Sequence, residues 1–579
     1  MALNYVSGFL RVVLVAALLP ALAGCAGLSD LSGMGSNETP YGDYLSARYA
    51  ASVNDPKAAE RYFDKTLSGG GNNPIVLERA FMTATNAGDM SRAVSLARTL
   101  IKTAPDHSMA RLVLALDDIR DGDYVEARAQ IGTADPSAFA ALVSTLTQAW
   151  AAAGAGDRNG AVAKLDMFKG KPAFDLFRTF HTAQVLDMLG DKAGASSAYE
   201  EAIDASGSGS IRVVEGYASF LSREGKMDDA KKVIGEFLAL SPRHPMALAD
   251  KATLDAGKAM KPLIDNASEG VAEALYGLGS ALAQEAGSDM AVLYLRLAIW
   301  MRPDFDVART LLADTFEQKK QWGDAIASYS HVNSSSPLYT NARIQTAIDL
   351  DHLDREKDAI AVLADLSDDN PKALEPHVAL GDIFRAKEKY GDAAKQYDQA
   401  IALAGSVQPE HWSLFYARGI CMERMGKWTD AERDLKLALK LSDDHPLVLN
   451  YLGYSWIEQG THLTEALAMI EKAVEMRPTD GFIVDSLGWA QYRLGDYEHA
   501  VQVLQRAVEL EPSDSTINDH LGDAFWKVGR KIEARFQWSH ALEMKPEEDR
   551  IPVLKAKLQF GLEAAEAADI KKPVTATDS

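Results

Sequence analysis

The sequence predicts an all-α solenoid, built from about fourteen stacked helical hairpins and closed at its C-terminus by a capping helix. Three markers recur in one register with a period near 34 residues over about residues 40–548. Small residues come first, in Leu-Gly pairs such as the one ending at Gly488 and as alanines such as Ala500. Turn glycines and terminal prolines follow at fixed offsets, as at Gly495 and Pro512. Three independent markers in one register indicate a single helical array.

Each marker has a physical role in close helix packing. Gly488 lets the two helices of a hairpin approach each other, and Ala500 occupies the crossing point, where a larger side chain would clash. Gly495 permits the turn between the helices, and Pro512 prevents the second helix from continuing. The same reasoning predicts a buried alanine at every crossing, namely at Ala59, Ala93, Ala127, Ala161, Ala195, Ala230, Ala291, Ala325, Ala359, Ala393, Ala431, Ala466, Ala500 and Ala534.

Residues 1–24 have the pattern of an export signal. An apolar run over residues 12–22 is too short to span a hydrocarbon core about 30 Å thick. It ends in Leu-Ala-Gly before Cys25, which resembles the lipobox of bacterial lipoproteins. That resemblance implies cleavage before Cys25 and acylation of its thiol. Because Ala26 follows instead of aspartate, it also implies sorting to the outer membrane, facing the periplasm. The alternative is an ordinary signal peptide with an incidental cysteine.

The array is interrupted once. Ala230 and Ala291 are 61 residues apart, where two periods would need 68, and Pro262 and Asn266 break the helical pattern between them. We interpret this segment as a hinge, with a merely degenerate repeat as the alternative. The predicted organisation is therefore a signal peptide (1–24), an acylated cysteine with a flexible tether (25–42), an N-terminal array (43–245), an irregular hinge (246–271), a C-terminal array (272–548), a capping helix (549–568) and a disordered tail (569–579).

Composition and motifs exclude several functions. Sixty lysines and arginines against 82 aspartates and glutamates give a net charge of −22, which argues against a nucleic-acid partner. Two cysteines, Cys25 and Cys421, exclude a disulfide scaffold and a cysteine-rich zinc site, and Cys421 is predicted to be a buried packing thiol. The chain lacks H-E-x-x-H, C-x-x-C and Walker motifs. We therefore expect a non-enzyme with no catalytic residue, metal or cofactor; an enzyme with an unrecognised site is the alternative.

The repeat resembles the tetratricopeptide repeat (TPR), most closely over residues 486–500. That resemblance implies a right-handed superhelix whose concave groove binds proteins or peptides. Together, the lipobox and the long array resemble the periplasmic TPR lipoproteins of Gram-negative bacteria of the LbcA/NlpI type. These are adaptors that gather a carboxyl-terminal processing protease and its cell-wall hydrolase substrates. The alternative is a scaffold or pilotin-like component of pilus assembly, secretion or polysaccharide export. Both alternatives leave the oligomeric state open.

The same resemblance places groove-facing positions two residues before the Leu-Gly pair, one after it, and four to five after it. In the last hairpins this predicts a protein-binding groove lined by Asn450, Tyr454, Asp485, Trp489, Tyr492, Arg493, Asp523, Trp526 and Lys527. Aromatic rings beside amide and charged groups suit an extended or helical peptide. The alternative is that these rings pack against the next repeat, and Trp526 against the capping helix. A more acidic stretch, typical of a solvated face, occupies such positions earlier, at Asp314, Glu317, Gln318, Asp351 and Asp382.

Overall fold

The computed structural model describes residues 39–53, 55–70, 73–132, 138–207, 209–284 and 288–563. Cys25, the export signal, most of the tether and the predicted tail lie outside these ranges. Within them the chain forms thirty α-helices and no β-strand, which confirms the all-α prediction. Among the described helices, none is both long and apolar enough to cross a bilayer. The chain divides into two compact units, here called the N-terminal unit (1–359) and the C-terminal unit (360–579).

The N-terminal unit contains eighteen complete α-helices. They are α1 Pro40–Ser52, α2 Pro56–Gly70, α3 Pro74–Ala87, α4 Met90–Thr103, α5 Ser108–Asp121, α6 Tyr124–Gln130, α7 Ala138–Gly154, α8 Arg158–Leu165, α9 Asp175–Met188, α10 Lys192–Ser206, α11 Ile211–Arg223, α12 Met227–Leu240, α13 Pro245–Asp255, α14 Ala267–Ala283, α15 Asp289–Met301, α16 Asp306–Gln318, α17 Trp322–Tyr329 and α18 Tyr339–His352. Short 3-10 turns at Asp166–Phe168 and Pro172–Phe174 join α8 to α9.

The C-terminal unit begins within α19 Glu356–Asp369. A 3-10 turn at Pro409–His411 precedes α22. The further helices are α20 Glu375–Ala386, α21 Tyr390–Ala404, α22 Trp412–Arg424, α23 Trp428–Leu441, α24 Pro446–Gln459, α25 Leu463–Met476, α26 Gly481–Arg493, α27 Tyr497–Leu510, α28 Ser515–Lys527, α29 Lys531–Glu543 and α30 Arg550–Phe560.

The small residues of the repeat lie at helix crossings, as predicted. All fourteen crossing alanines are 0% exposed. At Gly488 an added Cβ would lie 2.6 Å from Cγ of Leu504 in the next helix, so only glycine permits this approach. Gly495 has φ +87°, as a left-handed turn requires. The predicted buried thiol is also confirmed, since Cys421 is free and fully buried. The period therefore marks hairpins, each closed by close packing at one crossing.

Three turns keep the period without glycine. Lys320, Asp354 and Glu388 are spaced by 34 residues and have φ between 57° and 59°. L-residues pay about 1 kcal/mol or more for this left-handed conformation. Packing of the flanking helices imposes the turn here, so the sequence carries no glycine signal at these positions.

The interruption in the period corresponds to one unpaired helix and an extended segment. α13 packs on α11 and α12 without a second helix of its own. Residues 256–266 then run along α11. The hydroxyl of Ser219 donates to the carbonyl oxygen of Lys261 (2.6 Å), and the amide of Met260 donates to Oγ of Ser222 (3.0 Å). The N-terminal unit thus binds an extended piece of its own chain.

After this segment the chain folds back onto the earlier helices. α14 packs on α5, α7 and α9, and α15 packs on α3. Gly270 of α14 approaches Trp150 so closely that an added Cβ would lie 2.2 Å from its ring. Nε of Arg212 on α11 donates to Oε1 of Glu273 on α14 (2.9 Å), and both residues are buried. The compact units part at 359/360, so the hairpin that follows 246–271 belongs to the N-terminal unit.

Candidate protein-binding groove

The first helices of three successive hairpins, α24, α26 and α28, lie side by side and bring predicted site residues together. The indole Nε1–H of Trp489 on α26 donates to a carboxylate oxygen of Glu458 on α24. Arg493, one turn further along α26, pairs with the same carboxylate (2.9 Å). The opposite side of the Trp489 ring system meets α28, where it stacks on His520 with centroids 4.0 Å apart and planes 14° apart. These contacts join three hairpins into one surface.

A buried charge pair supports this aromatic surface. Nδ1 of His520 lies 3.0 Å from Oδ2 of Asp485, and both residues are buried. Burial lowers the pKa of His520, but Asp485, with Asp519 and Asp523 nearby, raises it more, so the pKa lies above its usual value. The protonated form of His520, which these carboxylates favour, strengthens its stack on Trp489, because a cation attracts the face of an indole.

The remaining predicted residues on α24 and α26 extend the surface. Tyr492 stacks on Trp489 with centroids 4.7 Å apart and is itself buried. Tyr454 is half-buried, and its pKa is raised by burial and by the carboxylates of Glu458 and Asp485. Asn450 is half-buried, and its Oδ1 has no hydrogen-bond partner among the described residues. The surface therefore offers aromatic area, whereas the unpaired Oδ1 of Asn450 is itself buried.

The last hairpin is covered by the chain itself. Nζ of Lys557 on α30 lies 2.6 Å from Oδ1 of Asp519 and 2.8 Å from Oδ2 of Asp523, with all three side chains buried. The indole of Trp526 donates to Oε2 of Glu563 (2.8 Å) at the end of α30. In this structure Asp523 and Trp526 thus contact the capping helix instead of lining an open groove, which is the alternative stated above for Trp526. Lys527 is half-buried.

One aromatic residue on this surface was missed in the sequence. Phe482 begins α26 seven residues before Trp489 and is 54% exposed. Seven residues are about two helical turns, so both rings lie on one helix face. This periodicity is the signal that would have identified it.

In the N-terminal unit, the positions equivalent to this groove are buried by other helices of the same unit. There the register that gives Asp485 and Trp489 gives Leu112, Leu116, Leu146 and Trp150, which are all buried. They belong to one hydrophobic core with residues of α14 and α15. This part of the N-terminal unit is filled by its own hairpin, whereas α24 and α26 keep solvent-accessible aromatic residues.

No group of three or more histidine, cysteine or acidic side chains in the described ranges is arranged to hold a metal ion. The arrangement at α24, α26 and α28 can bind a polypeptide through ring surfaces and hydrogen bonds. It holds no nucleophile paired with a base.

Stacked helix pairs with small residues at every crossing define a helical-repeat protein. Two family models identify the repeat: residues 488–529 match the model described as TPR repeat, and residues 378–446 match the model described as tetratricopeptide repeat. These two segments of the chain thus carry tetratricopeptide repeats.

Two bacterial proteins are similar in sequence to parts of the chain. It is 35% identical over 97 residues to a TPR repeat-containing protein of Pseudomonas aeruginosa, covering 17% of this chain and 16% of that protein. It is 23% identical over 363 residues to cellulose synthase 2 operon protein C of Komagataeibacter xylinus, covering 57% of this chain and 27% of that protein. The chain thus matches less than a third of either relative's length.

Solved structures of other helical-repeat proteins are similar over most of the chain. The Cut9–Hcn1 hetero-tetramer of APC/C aligns with 90% of this chain and 96% of that chain, at 14% identity and a TM-score of 0.38. Yeast Tom70 aligns with 92% of this chain and 96% of that chain, at 12% identity and a TM-score of 0.31. At these scores the similarity carries no argument about function.

Proposed function

We propose that this protein is a non-catalytic scaffold, lipid-anchored at Cys25 to the periplasmic face of the outer membrane, which gathers a carboxyl-terminal processing protease and cell-wall hydrolase clients. The observation that carries the proposal is the accessible aromatic surface of α24 and α26, which stacks on α28, in an array whose N-terminal groove is filled by α14 and α15. The lipobox and the repeats support the anchor and the class of partner.

The groove residues contribute different interactions to the binding of a client segment. The rings of Phe482 and Trp489 provide apolar area at low entropic cost, because each ring has few rotatable bonds. The phenol of half-buried Tyr454 provides a hydrogen bond for a client backbone. Glu458 holds Trp489 in place before any client arrives. Anchoring then raises the local concentration of protease and substrate without any chemistry by the scaffold itself.

A pull-down with the lipidated full chain from envelope extracts tests this function. The wild type should recover a periplasmic protease and a cell-wall hydrolase. Trp489→Ala should reduce that recovery at least tenfold, because truncating a central tryptophan typically costs about 2 kcal/mol or more. Phe536→Ala removes an aromatic residue of α29 that is 65% exposed and should leave recovery unchanged. Equal recovery by both variants would exclude the groove, and recovery of neither client class would exclude the adaptor.

The anchor has its own test. Cells grown with an alkynyl fatty acid should label the wild-type protein and leave Cys25→Ala unlabelled and absent from the membrane fraction. Labelling of neither protein would favour an ordinary signal peptide.

A second candidate is a scaffold for polysaccharide export. It is favoured by the similarity, over 57% of this chain, to a protein named for a cellulose synthase operon. Recovery of only export-channel proteins in the pull-down would favour this candidate. So would loss of surface polymer, without cell-wall defects, after deletion of the gene.

A further inference from the structure

The N-terminal unit contains three carboxylates, on α16 and α18, whose charges act on one another. Asp314 and Glu317 of α16 occupy two of the groove-facing positions; Asp314 is exposed and Glu317 is half-buried. Asp349 of α18 is 0% exposed. In the repeat register Asp349 takes the place that Ala490 and Ala524 hold in α26 and α28, where the side chain is buried in packing. A carboxylate at this packing position needs an explanation.

Hydrogen bonds do not satisfy the three groups. The phenol of Tyr329 lies 2.6 Å from Oδ1 of Asp314 and 3.0 Å from Oε1 of Glu317, but its single proton serves one acceptor at a time. Both oxygens of Asp349 are buried and have no hydrogen-bond partner among the described residues. Leaving a buried acceptor unpaired is costly, so such groups are rare in folded proteins.

The charges nearby are negative. Burial, followed by the charges of Glu317 and Asp314, raises the pKa of Asp349 to about 8. Burial and the charge of Asp314 raise the pKa of Glu317 to about 7, against the hydrogen bond from Tyr329. No cation of the described chain is among the groups that shift either pKa.

Two basic groups on neighbouring described helices are engaged elsewhere. Lys319 at the end of α16 is engaged with Asp289 of α15, and His352 of α18 stacks on Trp322 of α17 with centroids 4.3 Å apart. On α14, the pKa of Tyr276 is raised to about 12, mainly by burial and further by Glu273, Glu215 and Asp314, against the charge of Arg212. The cluster is thus an excess of acid groups at a groove-facing position.

We propose that Asp314, Glu317 and Asp349 form a subsite for the lysine or arginine side chain of a bound polypeptide. The inference rests on the proposed protein-binding function and names a feature of the client. A cationic head group reaches Asp314 and Glu317 from the groove, while the buried Asp349 acts through the charge that it gains when it loses its proton. Binding favours the ionised carboxyls, so the client's cation displaces protons from them. A side-chain cation is favoured over a metal ion because no metal-holding arrangement exists among the described residues.

The probe for this subsite is fluorescein-labelled hexalysine, with fully N-acetylated hexalysine as its neutral counterpart. Anisotropy titrations of the full mature chain at pH 7.5 should show binding of the first peptide only. Asp314→Asn/Glu317→Gln should weaken that binding at least tenfold; it should fold normally, since it removes like-charge repulsion. Asp204→Asn/Glu236→Gln removes two exposed charges from outer helices and should change binding less than twofold. Equal weakening by both variants would mean general attraction to an acidic chain and would overturn the subsite.

Two further measurements complete the test. In weakly buffered solution, hexalysine should release protons from the wild type and fewer from Asp314→Asn/Glu317→Gln; no release would contradict the proposal. Complete competition by micromolar Ca²⁺ or Mg²⁺ would identify a metal site instead.

Failure of this proposal is distinguishable from failure of the scaffold. If hexalysine does not bind but Trp489-dependent recovery of envelope clients persists, the subsite is wrong and the scaffold stands. If hexalysine binds as expected but envelope clients are not recovered, the scaffold function fails while the cation subsite is retained.

Discussion

Replacing Asp349 with asparagine should stabilise this protein, and increasingly so as the pH rises. Asparagine has the shape of the protonated acid but cannot ionise. The pKa of Asp349 is about 8 in the folded chain, against 3.8 for an ordinary aspartate. Below the unfolded pKa, the carboxyl is protonated in both states and the substitution has little effect. Between about pH 4 and pH 8 the unfolded chain releases a proton that the folded chain retains, so wild-type stability falls as pH rises.

The size of the effect follows from that difference in pKa. Each pKa unit corresponds to about 1.4 kcal/mol, so the gain in unfolding free energy from Asp349→Asn has an upper bound near 5 kcal/mol at pH 8. Solvent reaches the neighbouring Asp314 and screens part of the interaction, so we expect a gain of about 2–3 kcal/mol. At pH 5 most of the destabilisation by Asp349 has not yet developed, so Asp349→Asn should gain only about 1 kcal/mol of unfolding free energy.

Hydrogen exchange over α16–α18 is the suitable assay, because a long repeat array opens locally and has no single unfolding free energy. Exchange in Asp349→Asn should be slower than in the wild type. The ratio of the wild-type rate to the variant rate should be larger at pH 8 than at pH 5. Asp304→Asn, at a position 78% exposed, serves as the control and should change neither ratio. Faster exchange in Asp349→Asn at pH 8, or equal ratios at the two pH values, would refute the reasoning.

Three other substitutions test the packing. Arg212→Met leaves buried carboxylates on α11 and α14 unpaired and should cost about 3–5 kcal/mol, seen as faster exchange in α14; unchanged exchange would mean that the ion pair does not hold the folded-back hairpin. Gly488→Val should lower the local opening free energy of α26 and α27 by about 1–3 kcal/mol, seen as faster hydrogen exchange there, because its Cβ meets Leu504; unchanged exchange would show that the crossing can relax. Lys557→Met removes the cation that holds α30 and should expose Trp526 to acrylamide quenching, whereas unchanged quenching would show that apolar contacts alone seat the cap.

The candidate site was partly accessible from the sequence. The register of the Leu-Gly pairs placed Tyr454, Trp489 and Arg493 on one surface, and in the structure Glu458 binds Trp489 and Arg493 and raises the pKa of Tyr454 through its charge. It could not show that α30 covers Trp526, since a capping helix has no repeat register to compare. Phe482 lies outside the positions taken from the family resemblance, although its spacing from Trp489 was visible.

The sequence by itself determined the repeating hairpin, because every crossing between adjacent helices needs a small side chain and therefore leaves a mark every 34 residues or so. Only the tertiary structure decided that α14 and α15 return to fill the groove of α3–α9. The contacts responsible join residues far apart in the chain, such as Arg212 and Glu273, which are 61 residues apart. Such a contact occurs once, so it adds no period to the sequence. The sequence could not show that Asp349 is unpaired either, since that depends on which groups surround the carboxylate in space.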